Sequence, residues 1–247
     1  MAQWEHVAQC KSHVLQRSQD TIVLLYQLLL FLSLRRNFKM YTIIEDCSPY
    51  YIRFSAPEHQ QVVDHCLNIV SNSKFTKDFT NHTITVIESK PLIKAIPLFD
   101  QLKLNKLRLT LFVTQPGVKR LPHKDGQNMQ FGINYMVEIL DDKCITNWYT
   151  DESLSQFEQW EGSRPDGDVM GKKRNLRLRG LVNFDSTNIV PAKSMVAKAG
   201  EAMLFNVNMY HDWNNEASSN RRIILTLRPP SYSELDFQQV SKILFPL

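Results

Sequence analysis

Residues 107–114 (LRLTLFVT) alternate strictly, with Leu107, Leu109, Leu111 and Val113 on one side and Arg108, Thr110, Phe112 and Thr114 on the other. A period of two over eight residues predicts a β-strand with one apolar face. Gln115-Pro116-Gly117 then reads as a turn. Similar short runs recur at 41–45, 50–54, 83–87, 132–140, 145–150, 194–198, 202–207 and 222–227, separated by turn signals such as Asp141-Asp142-Lys143 and Ala199-Gly200-Glu201. In the last run, alternation puts Arg222, Ile224, Thr226 and Arg228 on one face and Ile223, Leu225 and Leu227 on the other. Helical spacing is confined to three stretches. Residues 57–70 carry Val62, Val63, Cys66, Leu67, Ile69 and Val70 as a stripe with Ser55 as the cap, 92–102 are interrupted by Pro97, and 233–244 follow the Pro229-Pro230 stop. Residues 151–188 are the least regular and read as an insertion or lid, spanning about 151–190. Many short strands punctuated by turns predict a mostly β architecture with flanking helices, an antiparallel sandwich or barrel.

The first 39 residues read differently. Residues 21–34 (TIVLLYQLLLFLSL) are almost continuously apolar and close on Arg35-Arg36. Spanning a bilayer takes about 20 such residues, and no small-residue cleavage site follows a long polar leader. Three readings stay open for 1–39: a docked amphipathic helix, a membrane anchor, or a segment foreign to the native protein. Globular patterning begins at Met40, which predicts one domain over 40–247. A net charge of +4 is too small to identify a nucleic-acid binder by composition. Cys10, Cys47, Cys66 and Cys144 form no CxxC pair, which excludes a zinc ribbon and fits a reducing, cytoplasmic compartment.

Chemistry enters with Leu121-Pro122-His123-Lys124-Asp125-Gly126. Residues two apart on a strand point the same way, so His123 and Asp125 can reach one metal ion from one sheet edge. A second imidazole completes the two-histidine, one-carboxylate face that leaves positions open on a non-haem iron(II) centre. Downstream, residues 191–228 run strand, glycine turn, strand, His211, polar hairpin, and a strand opened by Arg221-Arg222.

This arrangement over residues 107–228 resembles the double-stranded β-helix (jelly-roll, cupin-like) core of iron(II)/2-oxoglutarate-dependent oxygenases. Ile133-Asn134-Tyr135, with Cys144, Thr146 and Trp148-Tyr149, is similar to small hydroxylase-like proteins of phages and marine microbes, themselves distantly similar to prolyl and aspartyl/asparaginyl hydroxylases. The resemblance implies that His123, Asp125 and His211 ligate iron(II). It also implies that an arginine of the last strand pairs with the distal carboxylate of 2-oxoglutarate, a task suited to the planar guanidinium fork. Of the two adjacent candidates, alternation favours Arg222 over Arg221. Many members place Ser or Thr two residues after that arginine, where this chain has Ile224; Thr226 is the substitute, with Asn134 and Tyr149 as further polar contacts.

The implied function is a dioxygenase that consumes O2 and 2-oxoglutarate, releases succinate and CO2, and hydroxylates an amino-acid side chain, peptide or small metabolite. Asp125 in the triad fits hydroxylation rather than halogenation. The alternatives are a catalytically silent jelly-roll module that binds an acidic partner or nucleic acid, and a cupin-type metal enzyme independent of 2-oxoglutarate. The basic residues Lys172, Lys173, Arg174, Arg177 and Arg179 could meet an anionic or nucleic-acid ligand, but no aromatic platform interleaves them, which favours a solvated loop. His59 and His65, on the early helix, read as surface or capping residues.

Overall fold

A computed structural model describes residues 41–72, 82–87, 90–102, 108–125, 130–169, 172–182, 184, 189–229 and 235–246. The apolar stretch 21–34, with the rest of 1–40, lies outside the described residues, as do the side chains of 172–178 in the basic cluster. No described helix is long and apolar enough to cross a membrane.

Thirteen strands and four short helices make up the described chain: β1 (Thr42–Cys47), β2 (Tyr51–Ser55), α1 (His59–Asn72), β3 (His82–Ile87), α2 (Lys90–Ala95), α3 (Leu98–Gln101), β4 (Arg108–Thr114), β5 (Lys119–Lys124), β6 (Gly132–Glu138), β7 (Ile145–Tyr149), β8 (Gln159–Val169), β9 (Lys172–Leu181), β10 (Lys193–Val196), β11 (Ala202–Phe205), β12 (Tyr210–Asn214), β13 (Arg222–Arg228) and α4 (Phe237–Leu244). One sheet has the order β1-β2-β11-β6-β13-β4-β3 and the other β10-β7-β12-β5-β9-β8. From β4 to β7, and again from β10 to β13, each strand lies in the sheet opposite its predecessor. This alternation between two antiparallel sheets is a double-stranded β-helix.

Period-two patterning explains the layers. Leu109, Leu111 and Val113 of β4 join Ile223, Leu225 and Leu227 of β13 in one buried cluster, to which α1 contributes Val62 and Cys66. Each buried residue of this size contributes roughly 1.5–3 kcal/mol over exposure. The opposite, inward face of the same sheet carries Met203, Phe205 and Ile224, which pack with Trp148 of the second sheet. The turn before β5 holds Gly117 at φ 75°, a conformation that glycine adopts without steric cost. Asp236 caps α4 in a reciprocal capping box with Gln239.

Three expectations are corrected. The 151–188 stretch is not irregular throughout: β8 and β9 pair as a long hairpin, and β9 joins the edge of β5 at His123 and Lys124. α1 begins at His59 rather than 57, and Ser55 ends β2 instead of capping the helix. His59 is buried, its Nε2 lying 3.2 Å from the Met136 carbonyl oxygen of β6, so it ties the helix to the sheet.

Burial lowers the pKa of His59, with the Met136 carbonyl acting in the opposite direction. The unfolded chain therefore takes up this proton more readily than the folded protein. The stability contributed by neutral His59 is complete above about pH 6.5 and is lost as pH falls below it. In urea unfolding, His59→Gln is expected to lose less stability than the native chain between about pH 6.5 and about pH 5; parallel losses would contradict this role. A second prediction concerns Gly132, where a Cβ would come 2.5 Å from the ring of Phe205. That ring is buried against His211, with centroids 5.6 Å apart. Gly132→Ala should therefore destabilise the fold by about 1–3 kcal/mol, read as a lowered Tm, and an unchanged Tm would show that Phe205 moves freely.

Candidate metal centre

β5 and β12 pair antiparallel with His123 opposite His211, and Arg120 opposite Trp213. Two residues of β5, Leu121 and Pro122, therefore face the single residue Asp212. This is a β-bulge, and Pro122, which has no N–H to donate, sits naturally in it. The extra residue reverses the alternation, so Arg120 and His123 line the same cavity although they are three apart. Lys124, between His123 and Asp125, instead pairs with Asp151 at 2.7 Å. Asp125 follows β5 directly, and its backbone N–H donates to the Val207 carbonyl at 3.3 Å.

One nitrogen from each imidazole and one Asp125 oxygen lie within 4.8 Å of one another, and all three residues are buried. His123 Nδ1 lies 2.9 Å from the Leu121 carbonyl, and His211 Nδ1 lies 3.0 Å from the Met209 carbonyl. A carbonyl only accepts, so these contacts assign the proton to Nδ1 in both rings and leave both Nε2 lone pairs directed elsewhere. Those Nε2 atoms stand 3.6 and 3.7 Å from the Asp125 oxygens, beyond hydrogen-bond range. Three acceptors converge with no proton between them, which is the arrangement a divalent cation satisfies.

The electrostatics match. Burial by itself pushes the Asp125 carboxyl up, but the groups around it, the Arg228 guanidinium foremost, hold it well below the usual carboxylate range. Arg228 Nη2 donates to Asp125 Oδ2 at 2.9 Å. Burial, reinforced by Arg120 and His211, holds His123 well below 6.5 against the pull of Asp125, so the ring stays neutral and able to ligate.

The cavity has about 570 Å³ of space including its open mouth. Among the residues singled out from sequence, His123, Asp125, His211, Arg222, Asn134 and Thr226 all line it, and Tyr149 is not among its lining residues. Tyr149 points to the other face of the small sheet, where its hydroxyl donates to Asp212 at 2.6 Å. Asp212 is raised by burial and drawn back by that bond and by Asn147. Thr226 Oγ1 donates to Asn134 Oδ1 at 2.7 Å. Arg221 lies outside the cavity, bonded through Nε to Glu138 at 2.6 Å. Arg222 is buried, touches Thr146 Oγ1 at 3.4 Å, and has a Nε without a hydrogen-bond partner among the described residues. Burial lowers its pKa to about 10, with Cys144 and Asp212 opposing. Two cavity arginines were not singled out as site residues, Arg120 and Arg228. Alternation already placed Arg228 on the face of Arg222, whereas Arg120 was hidden by the bulge, whose one visible signal is Pro122.

No protein-family model matches the sequence, and no curated protein matches it. Among solved structures, a Pseudomonas putida prolyl-4-hydroxylase is similar with a TM-score of 0.41 and 11% identity, over 74% of this chain and 92% of that one. The oxalate decarboxylase of Lactobacillus farciminis gives 0.32 and 12%, over 62% of this chain. The salicylate 1,2-dioxygenase of Pseudoaminobacter salicylatoxidans gives 0.30 and 6%, over 70%. The chain spans only 30% and 34% of the length of those two proteins. At such distances the strand order and the cavity, not the neighbours, carry the assignment.

If Arg228 holds Asp125 in its ligating position, Arg228→Gln should weaken Mn(II) or anaerobic Fe(II) binding by about 10- to 100-fold in a calorimetric titration. Undiminished affinity would show that the carboxylate is oriented without it.

Proposed function

We propose that the chain is an iron(II)- and 2-oxoglutarate-dependent oxygenase that hydroxylates an amino-acid side chain or small metabolite. The observation that carries this reading is Arg222. It is a buried guanidinium in the cavity of the His-Asp-His cluster, with no carboxylate within 4.0 Å among the described residues. Leaving such a charge unpaired costs several kcal/mol, and arginine sheds its proton too reluctantly to escape by neutralisation. A ligand carboxylate relieves that cost through two parallel hydrogen bonds.

In this reading His123, Asp125 and His211 hold iron(II) through the two free Nε2 atoms and one carboxylate oxygen. When bound, the metal and its co-substrate supply the oxidation: 2-oxoglutarate, O2 and R–H become succinate, CO2 and R–OH. The protein's own work is positional. The Leu121 and Met209 carbonyls hold the imidazoles in the ligating tautomer, and Arg228 holds the carboxylate. Arg222 receives the distal carboxylate of 2-oxoglutarate. Ile224, in place of a hydroxyl residue, adds an apolar wall with Met203 and Phe205 that limits water near the metal. The Thr226–Asn134 pair adds polar surface on the same sheet, a second contact for the co-substrate.

Anaerobic addition of iron(II) and 2-oxoglutarate should produce a visible charge-transfer band, lost in His211→Ala. Arg222→Gln should raise the 2-oxoglutarate Kd by about 10- to 100-fold. Native protein that gives neither the band nor succinate would defeat the proposal.

A further inference from the structure

Three guanidiniums enter the cavity, and two have tasks. Arg228 is bonded to Asp125, and Arg222, on the oxygenase reading above, receives 2-oxoglutarate. Arg120 has neither an ion pair nor a hydrogen bond among the described residues, yet the bulge in β5 turns it inward beside His123. Its neighbours show that carboxylates were available on the outside. Lys119 reaches Glu216 at 3.0 Å, Lys124 reaches Asp151, and Arg221 reaches Glu138. A cation serving only the fold would be expected to find such a partner, and the inward turn of Arg120 forgoes one.

Charge balance points the same way. A divalent metal and dianionic 2-oxoglutarate cancel. Three guanidiniums then face the Asp125 carboxylate alone, because Asp212 turns its own to Tyr149 and Asn147, and positive charge is left over. That charge favours one further anionic group in the cavity, and it repels a cationic one. Trp213, the register partner of Arg120 on β12, lines the same cavity, so the charge sits beside an aromatic wall.

We propose that Arg120 is a substrate-binding residue that receives an anionic group, carboxylate or phosphate, of the molecule to be hydroxylated, so that the enzyme acts on acids and rejects their neutral and cationic counterparts. The inference rests on the oxygenase reading for the word substrate, while the anion site itself does not.

The test uses Mn(II)-loaded protein saturated with 2-oxoglutarate, titrated calorimetrically with benzoate, inorganic phosphate and, as the neutral control, benzamide. Saturable binding of benzoate or phosphate is expected without binding of benzamide, weakened at least about tenfold in Arg120→Gln and better retained in the charge-keeping Arg120→Lys. Benzoate and phosphate together distinguish the two anion types. Absence of saturable anion binding to the native protein would overturn the proposal, as would binding that Arg120→Gln leaves intact. Loss of 2-oxoglutarate affinity in Arg120→Gln would also overturn it, by making Arg120 a co-substrate ligand. If 2-oxoglutarate fails to bind the native protein, the oxygenase reading fails instead, and the same anion titrations on the metal-loaded protein still decide the Arg120 site.

Discussion

The backbone pairing of β5 with β12 is the constraint on which the site depends. It sets His123 opposite His211, and the bulge at Leu121-Pro122 then decides what else faces the cavity. A slip of either strand by one residue would turn its imidazole away from the cavity, because side chains alternate along a strand. That register is protected from several sides. The Lys124–Asp151 contact fixes the outer face, the Asp125 N–H bonds Val207, and β9 continues the sheet past His123. The inner ends are held by the i−2 carbonyls that receive each Nδ1–H. The ligand geometry is thus a property of the ladder rather than of the two histidines alone.

Charge is the second constraint. Placing three arginines around one cavity, with Arg222 buried among them, costs stability unless anions arrive to meet them. Asp125 is hydrogen-bonded to only one of them, Arg228. The fold therefore carries an unfulfilled electrostatic demand at Arg222 and Arg120, and ligands are the natural way to satisfy it. Function and instability share an origin here, since the residues that would bind anions are those that the protein's own groups support least well. The same logic separates the two faces of the small sheet. Asp212, adjacent to His211 in sequence, turns its carboxylate outward, where Tyr149 and Asn147 satisfy it.

Much of this was legible in the chain. The alternation of 107–114 and 222–228 correctly divided core from cavity, and it separated Arg222 from Arg221 because Ile223, Leu225 and Leu227 could only belong to the apolar layer. Strand alternation paired His123 with Asp125, the family resemblance added His211, and the fold places the three within reach of one ion. What escaped depends on departures from simple periodicity or on long-range pairing. Arg120 needed the bulge, which no period-two count reveals. Tyr149 was misplaced because β7 presents Thr146 and Trp148 inward, so its odd-numbered neighbours face out. The β8–β9 hairpin contains glycines and charges that weaken any strand signal, and it becomes regular only through its own cross-strand partner. His59 carries a polar label, yet one carbonyl at Met136 is enough to bury it.

On the proposed oxygenase reading, this cluster couples oxygen use to 2-oxoglutarate decarboxylation. Turnover of 2-oxoglutarate by the iron(II)-loaded protein under heavy-isotope dioxygen tests it most directly, with succinate analysed by mass spectrometry. One heavy oxygen atom per succinate is the predicted result, even without an added substrate. Succinate carrying only light oxygen, or none formed above a His211→Ala control, would contradict the account.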